Sequence, residues 1–211
     1  MLYRMDSLVE AKVTKMLDGD TLKVTLSNGF IIKVRLLLID SPEYKKAKID
    51  QQLYGYEALQ FGEANLKEGD IIYLEFEGDV RKDKYDRHLA YIWYKNSEGK
   101  YLLYNEEIVR IGLAKIAYIF SQTRYLNRLL SAQDEARAKK LNIWSIKGYV
   151  INHSFNMEVV GDNNTKVYIS RSNQSKLYHK FKDIHNLKNT KSMSLFEARK
   201  LRYSPCKKCF K

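Results

Sequence analysis

Side chains that could act on a phosphate occur in four short segments of this sequence, at residues 18–21, 35–43, 83–87 and 112–118. Hydrolysis of a phosphodiester requires that the charge growing on the phosphate oxygens be neutralised and that a water molecule attack in line. Arginine suits the first task because its planar guanidinium binds phosphate through two hydrogen bonds. A hard cation such as Ca²⁺ suits both tasks and prefers oxygen ligands. The residue types therefore indicate metal-assisted hydrolysis of phosphodiesters.

The two aspartates best placed to bind such a cation are Asp20 and Asp40. Asp20 begins one expected strand and Asp40 ends another, so their carboxylates could meet at one rim of a barrel. Together with a backbone carbonyl they would form a sparse oxygen site that leaves room for water and substrate. Glu43, three residues after Asp40, could polarise the attacking water.

Each segment also has a plain structural interpretation when it is taken alone. Asp18-Gly19-Asp20 is typical of a hairpin turn, and Arg35 within a strand could form a structural ion pair. Residues 40–43, Asp-Ser-Pro-Glu, are also typical of a helix start, and residues 83–87 could be a solvated charged loop. The enzymatic interpretation depends on the fold bringing these segments to one rim.

Alternation of apolar and polar residues predicts five strands, at about residues 9–14, 22–26, 30–39, 71–77 and 88–94. The third carries apolar residues on both faces near its end, which favours a central position covered on both sides. Helices are expected at about residues 54–68, 104–111 and 122–140. This order predicts the α+β class, with a five-stranded Greek-key barrel of the OB-fold type packed by three helices. Such a barrel commonly binds nucleic acids or sugars, but the fold alone does not give the function.

The same segments, taken together, resemble the staphylococcal nuclease family. The resemblance runs from about residue 10 to residue 145 with almost no gaps, and ends in Lys-Leu-Asn-Ile-Trp-Ser at residues 140–145. It implies a calcium-dependent nuclease that cleaves DNA and RNA with little sequence preference. It also implies that the bond to the 5′ oxygen is broken, which leaves 3′-phosphates.

The resemblance assigns the metal site and the base. Asp20 and Asp40 match the side-chain Ca²⁺ ligands. Ser41 stands where the family usually has threonine, whose backbone carbonyl completes the site, and a carbonyl ligand tolerates that change. Glu43 matches the general base proposed for the family.

The resemblance also assigns the groups that hold the substrate. Arg35 and Arg87 match the two arginines that bind phosphate and stabilise the transition state. The residues that match groups holding the terminal phosphate and base of a nucleotide are Lys84, Tyr85 and Tyr118.

Two positions depart from the family pattern. Phe120 replaces a tyrosine near the nucleotide, so one hydroxyl contact is lost while stacking remains available. Asp86 precedes Arg87 where glycine is usual, and its carboxylate could repel phosphate or pair with Arg87. Both changes bear on the level of activity.

The charge of the chain is concentrated in its last part. The formal charge is +12, and residues 151–211 hold 13 Lys and Arg against 4 Asp and Glu. Residues 1–150 hold 24 against 21. A basic chain rich in tyrosine suggests a polyanionic partner, most commonly nucleic acid.

The last part also contains a set of metal-binding residue types. His179, His185, Cys206 and Cys209 give the pattern His-x₅-His-x₂₀-Cys-x₂-Cys, and two imidazoles with two thiolates suit tetrahedral Zn²⁺. The alternative is a basic tail with an incidental Cys-x-x-Cys. Residues 202–209 also resemble a small module found at the C-terminus of some bacterial nuclease-like and surface proteins. We therefore expect a nuclease-like domain at 1–150, a linker at 151–166 and a small basic module at 167–211.

The same features also allow two other classes of function. A non-catalytic nucleic-acid-binding domain is the main rival, although binding alone does not need the acidic and basic residues retained together here. An interaction protein acting through its tail is a third class. No stretch is long and apolar enough to span a membrane, and we expect a monomer. The family resemblance favours secretion, whereas the lack of a recognisable signal peptide leaves a cytoplasmic location open.

Overall fold

The structure is a computed structural model. It describes residues 8–44, 52–152, 154–160, 166–170, 176–182, 189–201 and 203–210. By its internal contacts the chain divides into two units. The first contains the described residues of 8–44 and 54–145, and the second contains Gln52, Leu53 and the described residues from 146 onwards.

The first unit is built on a closed barrel of five strands, as the sequence predicted. These strands are β1 (Val9–Met16), β2 (Thr21–Leu26), β3 (Ile31–Leu36), β5 (Ile71–Glu75) and β6 (His88–Lys95). They follow the order β3-β2-β1-β5-β6 with antiparallel neighbours, and a parallel pairing of β3 with β6 closes the barrel. Closure leaves every barrel strand paired on both sides.

The barrel interior follows from the period of two along each strand. Alternate side chains such as Ala11 and Val13, Leu22 and Val24, or Ala90 and Ile92 are buried. Their neighbours on β1 and β2 are mostly charged or polar and more exposed, whereas the neighbours on β6, Tyr91 and Trp93, are also buried. Burial of this apolar surface is the main term that stabilises the barrel.

The predicted third strand, residues 30–39, is wrong in one respect that matters for the site. β3 ends at Leu36, and Leu38 takes a left-handed backbone conformation with φ of 65°. The chain then forms a separate short strand, β4 (Ile39–Asp40), which pairs with β8 (Lys115–Ile116). This turn redirects Asp40 away from the line of β3.

Three helices pack on the barrel where the sequence placed them. They are α1 (Gly55–Asn65), α2 (Tyr104–Arg110) and α3 (Leu126–Ala138), each shorter at its ends than expected. A short strand, β7 (Tyr101–Leu103), pairs with β6 just before α2, and a 3₁₀ helix (Asn142–Ser145) follows α3. The five-stranded barrel and its helices confirm the predicted α+β OB-fold.

The second unit has its own small core. A two-stranded pair, β9 (Val150–Ile151) and β10 (Ser154–Phe155), precedes a 3₁₀ turn at Met157–Val160. A four-stranded sheet has the order β13-β11-β12-β14. Its strands are β11 (Lys166–Ser170), β12 (Leu177–His179), β13 (Thr190–Ser194) and β14 (Ser204–Pro205).

One further helix, α4 (Leu195–Lys200), packs on this sheet, and Ser194 and Glu197 form a capping box at its start. The core consists of Val167, Ile169, Tyr178, Ala198 and Tyr203. Short elements therefore occur within the expected linker 151–166, and the proposed domain boundaries stay a prediction. No helix in the described ranges has the length and apolar character that crossing a membrane requires.

Candidate active site

Asp20 lies at the start of β2 with its carboxylate buried and held by three donors. Its Oδ2 accepts a hydrogen bond from the backbone N–H of Ser41 at 2.7 Å and pairs with Arg35 Nη1 at 2.9 Å. Its Oδ1 accepts from the Thr21 hydroxyl at 3.0 Å. The carboxylate is thereby fixed against the turn that follows β3.

Arg35, on β3, joins the two aspartates that the sequence singled out. Its Nη2 lies 3.2 Å from Asp40 Oδ1, while Nη1 binds Asp20. Burial alone would lower the pKa of this guanidinium, but Asp20 and then Asp40 raise it above its ordinary value. The side chain is therefore a fixed, permanent positive charge between two carboxylates.

The other oxygen of Asp40 pairs with Lys115, a residue to which the sequence assigned no role. The β4–β8 pairing places Lys115 opposite Asp40, and the buried Lys115 ammonium lies 3.6 Å from Asp40 Oδ2. Burial, followed by the charge of Asp20, raises the pKa of Asp40 to about 6, against the opposing effect of Arg35 and Lys115. The positions are 75 residues apart, so no local pattern could have revealed the pair.

Asp18 is a second residue of the site that was read only as part of a turn. Its Oδ1 accepts the backbone N–H of Asp20 at 3.1 Å. Burial, followed by the charge of Asp20, raises the pKa of Asp18 to about 8. The turn packs tightly, because a Cβ on Gly19 would lie 2.7 Å from Ala58 Cβ and 2.9 Å from Ser41 Cβ. The Asp-Gly-Asp spacing was the available signal, since it puts two carboxylates on one tight turn.

Ser41 and Glu43 follow Asp40 directly. Ser41 is buried, and its hydroxyl oxygen has no hydrogen-bond partner within the described residues. Glu43 is exposed. The backbone at Glu43 passes so close to Gly55 that any Cβ there would clash with the Glu43 carbonyl. The start of α1 thus fixes the chain that carries Glu43.

Arg87 is positioned by Asp83, within the charged loop that precedes β6. Asp83 Oδ2 accepts from Arg87 Nε and pairs with Nη2, both at 2.7 Å. Its Oδ1 accepts the backbone N–H groups of Tyr85 at 2.9 Å and Arg87 at 3.0 Å. Asp86 pairs with Lys82 at 2.6 Å and not with Arg87, and its φ of 61° is of the kind that glycine adopts easily.

The register between β3 and β6 relates the two arginines. Arg35 is the partner of Leu89, and Arg87 comes two residues before Leu89 along the same chain. Because residues two apart point to one face of a strand, Arg35 and Arg87 project from the same face of the barrel wall. Arg35 lies on β3 and Arg87 directly precedes β6, so the two are diagonal neighbours across this pairing.

Exposed aromatic rings stand over both arginines. The Tyr118 ring lies 5.4 Å from Arg35 Cζ, and the Tyr85 ring lies 5.4 Å from Arg87 Cζ and 5.0 Å from Lys84 Nζ. Tyr118 is 56% exposed and Tyr85 is 67% exposed, so a large part of each side chain is accessible to a ligand. Phe120 is also exposed. The structure therefore groups Tyr118 with Arg35, and Lys84 and Tyr85 with Arg87.

The second unit contains a separate cluster of metal-ligand types. Ligand atoms of His179, Cys206 and Cys209 lie within 4.8 Å of one another, and no other such group of His, Cys, Asp or Glu occurs among the described residues. Cys209 Sγ lies 3.5 Å from His179 Nδ1, and the two thiols are not joined by a disulfide. His185, the fourth expected ligand, lies outside the described residues. Among the described residues of the first unit, no three carboxylates have oxygens close enough together to form such a group.

Comparison with known proteins places this arrangement in a family. The family model described as "Staphylococcal nuclease homologue" matches residues 33–146. The chain is 39% identical over 150 residues to endonuclease YncB of Bacillus subtilis, which covers 71% of this chain and 68% of that protein. It is 39% identical over 150 residues to the SPbeta prophage-derived endonuclease YokF of Bacillus subtilis, which covers 71% of this chain and 48% of YokF.

A third relative comes from another genus. The chain is 35% identical over 134 residues to the thermonuclease of Staphylococcus hyicus, which covers 64% of this chain and 75% of that protein. The chain spans about half the length of YokF and about two thirds of YncB. From the family match and these identities, together with the closed barrel, the chain belongs to the staphylococcal nuclease family.

Proposed function

We propose that this chain is a calcium-dependent nuclease that hydrolyses phosphodiester bonds of DNA and RNA. One observation supports the proposal above all others: Arg35 is held between the carboxylates of Asp20 and Asp40, on the barrel face from which Arg87 also projects. Simple binding of a phosphate does not need a buried carboxylate, Asp20, and a partly buried one, Asp40, beside the arginine. Hydrolysis assisted by a cation does.

The donor set fits a hard divalent cation. Asp20 and Asp40 would hold Ca²⁺ through their carboxylates and Ser41 through its backbone carbonyl, which are ligands of the type that Ca²⁺ prefers. Burial, followed by the charge of Asp20, raises the pKa of both Asp18 and Asp40. A bound cation would favour the charged form of these carboxyl groups. When bound, the cation would neutralise charge on a phosphate oxygen and favour attack by water.

The remaining residues divide the work on the substrate. Arg35 and Arg87 would bind the scissile phosphate from one face of the barrel and stabilise the charge of the transition state. Glu43, which is exposed and follows Asp40 by three residues, would accept a proton from the attacking water. The bond to the 5′ oxygen breaks, and the products carry 3′-phosphates.

The protein groups that bind the substrate explain the low sequence preference. Guanidinium groups contact phosphate, which is the same at every nucleotide. Lys84 would bind a terminal phosphate, and Tyr85 and Tyr118 offer ring faces on which any base can stack. Neither contact distinguishes one base from another, or a deoxyribose from a ribose.

The decisive experiment is a cleavage assay on single-stranded DNA and on RNA with Ca²⁺, with Mg²⁺ or with excess EGTA. We expect cleavage with Ca²⁺ and none with EGTA, and products whose 3′ ends accept ligation only after phosphatase treatment. Unaffected cleavage in EGTA would exclude the metal assignment. Tight binding of oligonucleotides without cleavage in any of these buffers would support the rival class, a non-catalytic binding domain.

We further propose that the second unit holds Zn²⁺ through His179, Cys206 and Cys209, with His185 as the fourth ligand. Three of these ligand atoms are already gathered around one point, and the chemical types are those of a structural zinc site. Elemental analysis of the purified protein should give one zinc per chain, and the double variant Cys206→Ser, Cys209→Ser should give none. Wild-type protein without zinc, purified without chelator, would contradict the proposal.

A further inference from the structure

The barrel wall contains a cavity that the assignments above do not use. Its volume is about 540 Å³, which is within the usual range for small-ligand sites. It is lined by Val9, Leu26, Ile32, Phe76, Arg81, Lys82 and His88. Strands β1, β2 and β3 and the residue directly after β5, Phe76, thus provide an apolar floor. His88 of β6 and two basic residues of the loop before it provide the polar groups.

The aromatic part of this cavity suits a flat ligand. The Arg81 guanidinium carbon lies 5.4 Å from the centre of the Phe76 ring, and the His88 ring meets Phe76 edge-on at 6.4 Å. Aromatic faces paired with arginine are the usual platform for the bases of single-stranded nucleic acids. A base could therefore stack against Phe76 while Arg81 stays near its phosphate.

His88 supplies a polar atom whose hydrogen-bonding capacity is unused. Its Nδ1 is buried and has no partner within the described part of the chain. Burial, followed by the charge of Lys82, lowers the pKa of His88, so the ring is neutral near pH 7. The ring also hydrogen-bonds with the backbone of Lys33. Because Nδ1 is covered, the cavity offers a ligand the ring of His88 and not this nitrogen.

The charges at the mouth leave one cation available. Lys82 pairs with Asp86, and Asp83 is taken up by Arg87. Arg81 is exposed and forms no ion pair with any carboxylate that the structure describes. An anionic group at the mouth of the cavity would therefore meet a guanidinium that is not already neutralised.

The cavity and the active site share one loop. The backbone N–H of Leu89 donates to the carbonyl of Arg81 at 2.8 Å, and the backbones of Lys82 and His88 pair as an isolated antiparallel β-bridge. Arg87 and His88 are consecutive, so their side chains point to opposite faces of the chain. One side of the loop thus presents Arg87 and the other presents the cavity.

We propose that this cavity is a second nucleotide subsite, which takes a base of the substrate strand on Phe76 and His88 and the adjacent phosphate on Arg81. The inference rests on the proposed function, because it assumes a polynucleotide substrate. The subsite lengthens the bound segment beyond the nucleotide held at Arg87. It adds affinity for long strands and adds none for very short ones.

The test compares charge reversals at two similar cation–aromatic pairs. Arg81→Glu alters the cavity, whereas Lys95→Glu alters a cation 5.0 Å from the Tyr101 ring on another part of the barrel. Binding of a fluorescent 12-nucleotide single strand and of a dinucleotide is measured by anisotropy in calcium-free buffer. We expect Arg81→Glu to weaken 12-mer binding about tenfold and dinucleotide binding less than about twofold. Lys95→Glu should change both less than about twofold.

A second variant tests the base rather than the charge. Phe76→Leu keeps the apolar volume and removes the ring, so it should weaken binding of the 12-mer about fivefold. It should leave binding of a 12-mer made of abasic sugar-phosphate unchanged. Equal effects of Arg81→Glu and Lys95→Glu, or a wild-type affinity of Phe76→Leu for both strands, would overturn the subsite.

The cavity could instead be occupied by the chain's own first residues or by a second copy of the chain. Either result would overturn the proposal, and each has its own measurement. In one outcome, Arg81→Glu leaves 12-mer binding by the full chain unchanged but weakens 12-mer binding by a protein that lacks residues 1–7. The chain's own first residues would then occupy the cavity. If Arg81→Glu changes the sedimentation of the protein and not its affinity for DNA, a second copy does. Because binding is measured without cleavage, loss of the subsite leaves the nuclease proposal standing. Absence of cleavage with intact Arg81-dependent binding contradicts only the nuclease proposal.

Discussion

The ammonium group of Lys115 lies 3.6 Å from Asp40 Oδ2, and the backbones of the same two residues pair across β4 and β8. Asp40 is therefore held on one oxygen by Arg35 and on the other by Lys115. Two buried cations fix the plane of this carboxylate before any ligand arrives. Lys115 is a positioning residue, since it acts through Asp40.

We predict that Lys115→Met lowers the rate of DNA cleavage with Ca²⁺ by about 10- to 100-fold, as loss of a partner that orients a metal ligand usually does. Lys115→Arg should recover part of the rate because it restores a cation. Lys139→Met, which removes an exposed ammonium after α3, is the matched control. Titration of the rate against Ca²⁺ concentration separates weakened metal binding from a slower reaction. A Lys115→Met protein with wild-type rate and calcium dependence would refute the role.

Arg87→Ala is expected to abolish hydrolysis while leaving the fold intact. Among the described residues Arg87 forms an ion pair with Asp83 alone, and Asp83 keeps two backbone N–H partners after the change. The loss in rate should be about a thousandfold or more, as for removal of other preorganised transition-state charges. Thermal unfolding by circular dichroism checks the fold. A near wild-type rate would remove Arg87 from the mechanism.

The barrel could be predicted from the sequence because its strands alternate apolar and polar residues. β2 shows that alternation within six residues, whereas β6 is an almost continuous run of apolar and aromatic residues. Both patterns are local, and local patterns are enough to find these strands. The predicted aspartate and arginine sites could be placed because the family pattern fixes their spacing.

Three features of the site could not be predicted from the sequence, because they depend on contacts between distant segments. The break after Leu36 is not visible in an apolar run that continues to Ile39. The contact of Lys115 with Asp40 needs the β4–β8 pairing. The burial that shifts the pKa of Asp18 depends on how closely the turn packs against α1 and Ser41.

Asp18 predicts how the stability of the calcium-free protein depends on pH. Its pKa is raised from 3.8 to about 8 by burial and by Asp20, so the folded state binds a proton that the unfolded state releases. Stability should therefore be greatest at low pH within this window and should fall as the pH rises from about 4 to about 8. Asp40, whose pKa is raised to about 6, contributes with the same sign.

Asp18→Asn should remove most of this dependence, because asparagine does not titrate. In urea unfolding with EGTA at pH 5 to 8, the wild-type free energy of unfolding should fall with pH more steeply than that of the variant. At pH 8 the variant should be the more stable protein, by on the order of 1 kcal/mol. Parallel curves for the two proteins would show that Asp18 does not carry the effect.

The segment that carries Tyr118 and Phe120 is anchored at its far end by two glutamates of the barrel. Glu77 accepts the backbone N–H groups of Thr123 and Arg124 at 3.1 Å. Glu75, which is 5% exposed, accepts from Trp93 Nε1 at 2.7 Å and from the Tyr125 hydroxyl at 2.8 Å, and pairs with Arg124. These bonds tie the start of α3 to β5 and β6.

We predict that Glu75→Leu lowers the free energy of unfolding by about 3–5 kcal/mol, because it removes the carboxylate that accepts from the Trp93 indole N–H and the Tyr125 hydroxyl and that pairs with Arg124. Glu98→Leu, which removes an exposed carboxylate paired with Lys100 at 2.9 Å, should cost less than about 1 kcal/mol. Denaturant unfolding measures both. Where enough folded Glu75→Leu protein remains, its Michaelis constant for DNA should rise, since the aromatic residues at 118 and 120 lose their anchor. A Glu75→Leu protein as stable as Glu98→Leu would show that the network does not hold this segment.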